Sequence, residues 1–220
     1  LGVWFWCQQV DHDWEPLERH LGEVAEMAAE FAISFALPTH AYLAGIWHDL
    51  GKYSAEFQER IRAGADASLE TLVGRVDHST FGAQHAHREL GPHGWLIAYC
   101  IAGHHAGLAD AISSEHGGSA LEKRLAREDL PRVPAAAGTV APPPADILSP
   151  PEADVERLVS EFTARAFDRS NENRRAFQVA FRTRMLFSAL VDADSLCTER
   201  FCEPERVAER SPTAVSMQEL

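Results

Sequence analysis

The sequence predicts an all-α fold, and three observations favour this class. Apolar residues recur with helical spacing, prolines and glycines mark the ends of the periodic segments, and no segment shows a convincing run of alternating strand residues. The 220 residues are 45% hydrophobic and 24% charged, which is typical of a globular protein. A chain of this length fits one domain with a substantial core.

Three helices are predicted near the start of the chain. The first ends before Pro38, and its apolar stripe consists of Leu17, Leu21, Val24, Ala28, Phe31 and Phe35. A second helix is expected from about Thr39 to Leu50, where Gly51 ends it. Ser54 then predicts the N-cap of a short third helix.

The rest of the chain predicts five further helices and one long loop. The helices are expected over Ser79–Leu90, Trp95–Ala102, Ala120–Arg127, Glu152–Phe167 and Asn173–Thr198. Residues 131–151 hold seven prolines and no helical pattern, so they predict a Pro-rich loop insertion. We therefore expect one domain over residues 1–203, followed by a polar tail or linker over residues 204–220.

Charge narrows the possible partners. A net charge of −13 argues against a general duplex-DNA binder, which needs Lys and Arg to neutralise phosphates. It is compatible with a nuclease, because bound divalent cations reverse the local field. Six arginines between residues 165 and 184 are interpreted as a solvated helix face, with a nucleic-acid track as the less favoured reading.

Cysteine spacing and hydropathy predict where in the cell the protein is located. The four cysteines show no CxxC spacing, so we expect reduced thiols and a cytoplasmic protein. No apolar run approaches the roughly 20 residues that span a bilayer. The first residues also lack the basic and apolar regions of a signal peptide, and no membrane partner is expected.

The placement of the eleven histidines indicates a metal centre. His48 and Asp49 stand side by side where a helix is expected to end, so imidazole and carboxylate can flank an ion. The chain then turns at Gly51, which leaves Lys52 near the same site. His104 and His105 are adjacent and flanked by glycines that give the backbone freedom to present both rings.

Two further histidines and a late aspartate complete the candidate ligands. His20 borders the apolar stripe of the first helix, and His78 precedes a helix start at which Ser79 is a plausible cap. Asp194 continues the buried stripe of the last long helix, whereas Asp192 faces elsewhere. A carboxylate on a buried stripe is costly unless paired or metal-bound, so we prefer Asp194 and keep Asp192 as the alternative.

The chemistry of these donors indicates the type of metal. Imidazole and carboxylate ligands without cysteine suit Mn, Fe, Co, Ni or Zn, or Mg assisted by water. Structural zinc normally recruits thiolates in tight pairs, and this sequence has none. A single helical histidine is more often a core residue than a ligand, but histidines and aspartates on several separate helices are hard to explain as packing alone.

The order of these residues resembles the HD superfamily: a histidine, the HD doublet, further histidines and a distal aspartate. More narrowly, the chain resembles the HD nuclease domain of the CRISPR-associated type I helicase-nuclease. HDxGK alone is a weak motif, whereas HSxxGAQ, GHHAG and LFSALVDAD together are much more specific. The segments that carry the resemblance are residues 16–21, 46–52, 77–84, 103–107 and 186–199.

The resemblance implies an all-α HD-domain bundle and a nuclease that degrades single-stranded DNA in CRISPR interference. The implied partners are a superfamily 2 helicase and an RNA-guided surveillance complex. One divalent ion (Mn, Ni, Co, Fe or Mg) would be held by His20, His48, Asp49 and Asp194. A second would share Asp49 and add His78, His104 and His105, and Lys52 would contact the scissile phosphate.

The chain departs from the family pattern in two places, and two alternative functions stay open. Residues 6–8 read Trp-Cys-Gln where the family often has Ala-His-Ser, which puts substrate contacts there in doubt. The segment around Gly45 lacks the glycine spacing and the hydroxyl residue of a phosphate loop, so the helicase must lie elsewhere. The alternatives are an HD phosphohydrolase acting on nucleotides or cyclic dinucleotides, and a non-catalytic HD interaction module.

Overall fold

Helices form most of the protein in the computed structural model, which describes residues 4–8, 14–64, 76–112, 120–134, 142–148, 153–163 and 171–209. The all-α prediction is confirmed. The helices are α1 (Leu17–Ala32), α2 (Pro38–Trp47), α3 (Ala55–Gly64), α4 (Ser79–Leu90), α5 (Trp95–Gly103), α6 (Leu121–Leu125), α7 (Ala145–Leu148), α8 (Ala153–Thr163), α9 (Glu172–Cys202) and α10 (Pro204–Glu209).

A short antiparallel ribbon precedes the helices. Strand β1 (Trp4–Gln8) pairs with β2 (Trp14–Pro16), and Trp4 lies opposite Pro16. The sequence shows no convincing alternating run in these residues, so the ribbon is not predicted from it. With only three residues, β2 is too short for an alternating pattern to show in the sequence. The ribbon leads directly into α1 and buries the side chain of Glu15.

The predicted stripe of α1 is buried through Ala28, and α1 packs mainly against α2. The stripe ends earlier than expected, because Phe31 is 38% exposed and the α-helix stops at Ala32. A 3₁₀ turn over Ile33–Phe35 follows, and Ala36 then takes a left-handed conformation with φ of 60°. This turn allows α2 to begin at Pro38, whose missing N–H is harmless at a helix start.

Helix α9 places the C-terminal part of the chain against the histidine-bearing helices. It packs on α1, α2 and α5 and buries Leu186, Leu190, Ala193 and Cys197. The Asn171 side chain accepts a hydrogen bond from the N–H of Arg174 at 3.0 Å, which caps its first turn. Because the buried face runs along the second half of the helix, the last predicted ligand reaches the centre of the bundle.

Residues 142–148 of the Pro-rich segment include a short helix that the composition does not predict. Part of it forms α7, where no helix was expected. Trp47 Nε1 donates to the carbonyl of Ile147 at 2.8 Å, and His85 Nε2 donates to that of Leu148 at 2.9 Å. Hydrogen-bond donors from α2 and α4 therefore hold α7 in place. Contacts between segments so far apart in the chain cannot be predicted from local sequence patterns.

Other sequence predictions can be compared with the described residues. The Ser54 hydroxyl accepts a hydrogen bond from the N–H of Phe57 at 3.3 Å, as predicted for the start of α3. The predicted end of α8 at Phe167 lies outside the described residues, as does the tail after residue 209. The short helix α10 lies at the start of the predicted tail or linker, which stays a prediction.

Among the described residues, two cysteines are free thiols and a third is disulfide-bonded. Cys100 and Cys197 are buried thiols, and burial raises the pKa of the Cys100 thiol. Cys202 is disulfide-bonded, so the expectation of reduced thiols is wrong for that residue. Within the described part of the chain, no helix is long and apolar enough to cross a bilayer.

Candidate metal centre

The HD doublet lies at the end of α2 and is completely buried. His48 and Asp49 follow Trp47 directly, and the chain then forms a 3₁₀ turn over Leu50–Tyr53. Asp49 Oδ1 lies 3.4 Å from His78 Nε2 and 3.5 Å from His104 Nε2. Its other oxygen, Oδ2, lies 3.2 Å from His48 Nε2. The Asp49 carboxylate therefore faces imidazoles from three separate segments.

The seven predicted ligands converge into two adjacent groups. The ligand atoms within each group lie within 4.8 Å of one another. Helices α1 and α9 and the end of α2 supply the first group, which consists of His20, His48 and Asp194. The second group consists of Asp49, His78, His104 and His105.

Distances inside the groups are close to those between ligands of one ion. His20 Nε2 and His48 Nε2 lie 3.3 and 3.6 Å from Asp194 Oδ1. Two nitrogen or oxygen ligands that each lie about 2.1 Å from a shared ion are separated by about 3.0–3.5 Å. In the second group, the Nε2 atoms of His78 and His105 are 2.8 Å apart.

The imidazoles are oriented by hydrogen bonds on their outer nitrogens. His48 Nδ1 contacts the carbonyl of Gly45 at 2.7 Å, and His104 Nδ1 contacts that of Ile101 at 2.7 Å. Because a carbonyl can only accept, Nδ1 carries a proton in both rings. Each Nε2 then faces the centre, which is the arrangement that supports metal-ligating histidines.

The turn after α5 presents two adjacent imidazoles. Ala106 N and Gly107 N donate to the carbonyl of Gly103 at 2.9 and 2.7 Å, and Gly107 has φ of 88°. A left-handed residue closes this turn most easily when it is glycine. His104 is consequently buried while His105 is exposed. The second group therefore reaches the protein surface at His105.

The start of α4 is capped differently from the prediction. Asp77 Oδ1 accepts from the N–H of Thr80 at 3.1 Å, and Asp77 Oδ2 accepts from the Thr80 hydroxyl at 2.7 Å. Ser79 is instead the first helical residue. The cap is thus the aspartate preceding His78, and it fixes the backbone on both sides of that ligand.

Charges in the centre suit cation binding. Burial opposes ionisation of Asp49, but His48 and Lys52 outweigh it and hold the pKa of Asp49 well below its usual range. Burial likewise opposes ionisation of Asp194, yet His20 and His48 hold its pKa well below the usual range. The carboxylates of Asp49 and Asp194 are therefore both anionic at neutral pH.

One imidazole of each group, His48 in the first and His78 in the second, differs in its protonation. Burial acts to lower the pKa of His48, but Asp49 and Asp194 outweigh it and raise that pKa to about 10. For His78, burial lowers the pKa to about 4, and Lys52 acts in the same direction. A cation must therefore displace a proton at His48, whereas His78 is already neutral at pH 7.

Polar atoms in the second group are left unsatisfied in a way that an ion would explain. Among the described residues, Asp49 Oδ1 and His104 Nε2 are both buried and have no hydrogen-bond partner. They face each other at 3.5 Å, which is too long for a normal hydrogen bond. Buried groups of this kind are rare in native proteins unless water or an ion satisfies them. The residues present therefore fit a divalent cation.

Of the two remaining candidate residues, Lys52 lies at this centre and Asp192 lies away from it. Lys52 is buried, and its Nζ lies 2.5 Å from Asp49 Oδ2. Asp192 is exposed and belongs to neither group, whereas Asp194 faces both His20 and His48. The predicted metal-binding and phosphate-binding roles stay predictions.

Sequence reasoning missed Glu15. Its side chain is fully buried, and its Oε2 lies 3.4 Å from His20 Nδ1, on the side of the ring away from Asp194. Carboxylates in this position orient metal-ligating histidines and raise their basicity. Glu15 precedes α1 on the short strand β2, so no helical spacing relates it to His20.

A large cavity lies elsewhere. It measures about 910 Å³ and is lined by residues of α1, α2, α7 and α8, including Tyr42, Arg157 and Glu161. None of the seven candidate ligands lines it. The histidine and aspartate groups therefore lie outside this cavity.

An all-helical bundle that presents clustered histidines and aspartates is typical of metal-dependent phosphohydrolases. Residues 17–135, more than half of the chain, match the family model of the HD domain, and the chain belongs to the HD domain family. HD domains generally bind divalent metals and hydrolyse phosphate esters. No curated protein matches the chain. The matched range contains every candidate ligand except Asp194, which α9 supplies.

Proposed function

We propose that this chain is a metal-dependent nuclease that hydrolyses phosphodiester bonds of single-stranded DNA in type I CRISPR interference. The observation that carries the hydrolase part is the convergence of seven side chains from distant segments into two adjacent groups around His48 and Asp49. Support for the CRISPR context comes from the combination of the HSxxGAQ, GHHAG and LFSALVDAD segments.

The residues have distinct roles in this proposal. Bound divalent ions supply an activated water and neutralise charge on the phosphate. Asp49 belongs to the second group and also borders the first, because its Oδ2 faces His48 while its Oδ1 faces His78 and His104. Lys52 adds positive charge beside that carboxylate, and we propose that it also contacts the scissile phosphate.

The open end of the centre favours a polymeric substrate over a small nucleotide. His105 is exposed and His78 is partly exposed, whereas His20, His48 and Asp49 are fully buried. A phosphate can therefore approach from one side while the chain of nucleotides stays at the surface. A superfamily 2 helicase and an RNA-guided surveillance complex are the proposed partners that deliver this strand.

Cleavage of single-stranded DNA tests the proposal. Linear and circular single strands are incubated with the protein and Mn²⁺, Ni²⁺, Co²⁺ or Mg²⁺, and Asp49→Ala is compared with the wild type. Asp192→Ala is the matched control, because it removes an exposed aspartate outside both groups. We expect cleavage by the wild type and the control, and none by Asp49→Ala. Circular substrate also separates endonuclease from exonuclease action.

Other results point to the rival functions. Hydrolysis of mononucleotides or cyclic dinucleotides with intact DNA would favour a nucleotide phosphohydrolase. No hydrolysis with any metal, together with tight partner binding that survives loss of Lys52, would favour an interaction module. Undiminished cleavage by Asp49→Ala would refute the assigned centre.

A further inference from the structure

Arg124 on α6 binds the segment that carries His78. Its Nε donates to Thr80 Oγ1 at 2.8 Å, and its Nη2 donates to Ser79 Oγ at 2.8 Å and to Asp77 Oδ1 at 3.3 Å. These three acceptors surround His78 in the sequence. The guanidinium therefore holds side chains on both sides of one candidate ligand, including the aspartate that caps the helix.

The same guanidinium also binds the end of α5. Its Nη1 donates to the carbonyl of Ala102, two residues before His104. Arg124 is held in turn by Gln84 of α4, whose amide donates to the carbonyls of Arg124, Leu125 and Arg127 at 2.7–3.2 Å. One side chain thus joins the two segments that present the three histidines of the second group.

An arginine side chain is better suited than a lysine to join the His78 segment to the end of α5. The side chain of Arg124 is only 18% exposed, so its hydrogen bonds form largely away from water. A guanidinium is planar and presents five N–H donors in a rigid fork, whereas lysine presents three donors from one point on a flexible stem. Only the fork reaches acceptors on two different segments at a fixed separation.

We infer that Arg124 is a positioning residue that sets the separation of His78 from His104 and His105 for a second divalent cation. The inference rests on the proposed function, since it assumes that both groups bind metal. Within the described residues, the hydrogen bonds that the Arg124 side chain donates go to Asp77, Ser79, Thr80 and Ala102, and none of these is a candidate ligand. Its effect should therefore be confined to the second ion.

Titration of the metal-free protein with Mn²⁺ tests this inference. Calorimetry gives the affinities of the two ions, and electron paramagnetic resonance distinguishes coupled from isolated Mn²⁺. Arg124→Lys is expected to weaken the second ion about tenfold or more, as loss of supporting residues around a metal does. The first ion should change less than about threefold. Arg88→Lys is the matched control, because Arg88 is an exposed arginine on α4 that contacts Glu89 and His85.

The possible outcomes separate the two hypotheses. Equal weakening of both ions, or no weakening of either, would overturn the role of Arg124. A wild type that binds a single ion would refute the two-ion centre as well as the inference. If Arg124→Lys does not fold, Ser79→Ala removes one acceptor and decides the question: selective weakening of the second ion supports the inference, and an unchanged second ion overturns it.

Discussion

Replacing Gly51 by alanine tests how closely the HD turn must approach His78. A Cβ atom at Gly51 would lie 2.2 Å from the carbonyl oxygen of His78 and 2.5 Å from its Cα. Both contacts are with backbone, so no side chain can swing away. The two segments must separate by about 1 Å to restore a normal contact, and overpacking of this kind costs about 1–3 kcal/mol. We expect Gly51→Ala to be destabilised by that amount.

The same displacement should impair the centre. A misplacement of about 1 Å in a catalytic site can lower activity about 100-fold. Gly22→Ala is the matched control, because Gly22 lies inside α1 and a Cβ there would meet nothing within 4 Å. That change should instead stabilise the protein by about 0.5–1 kcal/mol through helix propensity.

Urea unfolding gives the free energy of each variant, and Mn²⁺ titration and DNA cleavage give its function. The reasoning fails if Gly51→Ala unfolds at the same urea concentration as the wild type and binds Mn²⁺ equally well. It also fails if Gly22→Ala is the less stable of the two variants, since the two changes add the same methyl group and differ only in their surroundings.

Three further predictions concern single carboxylates. Asp194→Ala should abolish binding of the first ion while Asp192→Ala leaves it intact; calorimetry with Mn²⁺ that found equal effects would refute the choice between them. Glu15→Gln should weaken the first ion about tenfold by loosening His20, and unchanged affinity would show that Glu15 does not orient the ring. Burial opposes ionisation of Glu161, but hydrogen bonds from the start of α2 lower its pKa below 4.5. Its contribution is therefore present above that pH and lost as the pH falls through the folded pKa, so Glu161→Gln should cost about 1–3 kcal/mol at pH 7 and less under acid. A stability difference that does not change between pH 7 and pH 3 would contradict this.

The first and last residues of a helix can be predicted from the sequence where neighbouring residues in the chain start or stop it. Helix α4 begins and ends at the predicted residues, Ser79 and Leu90. Gly91 and Pro92 stop this helix, and both are visible in the sequence. Helix α7 was missed because its hydrogen-bond donors come from α2 and α4. Proline content predicts that a segment lacks helical periodicity, but it cannot report a distant side chain.

The residue types of the centre could likewise be predicted, but their supporting contacts could not. Asp194 was preferred over Asp192 because a helix repeats every 3.6 residues, and that argument needs no neighbouring helix. Asp77, not Ser79, caps α4, although both are common capping residues. The choice depends on a side-chain rotamer that the fold selects. Arg124 and Glu15 gave no signal because their partners lie on other elements.

The helical class, the HD doublet and the set of candidate ligands therefore follow from the sequence, because they depend on residue type and short-range periodicity. The tertiary structure decided how the ligands divide into two groups, which end of the centre reaches solvent, and which residues hold the imidazoles in place. Those properties depend on ångström-scale distances between segments far apart in the chain. Such distances are set by the packing of α1, α2, α5 and α9 as a whole.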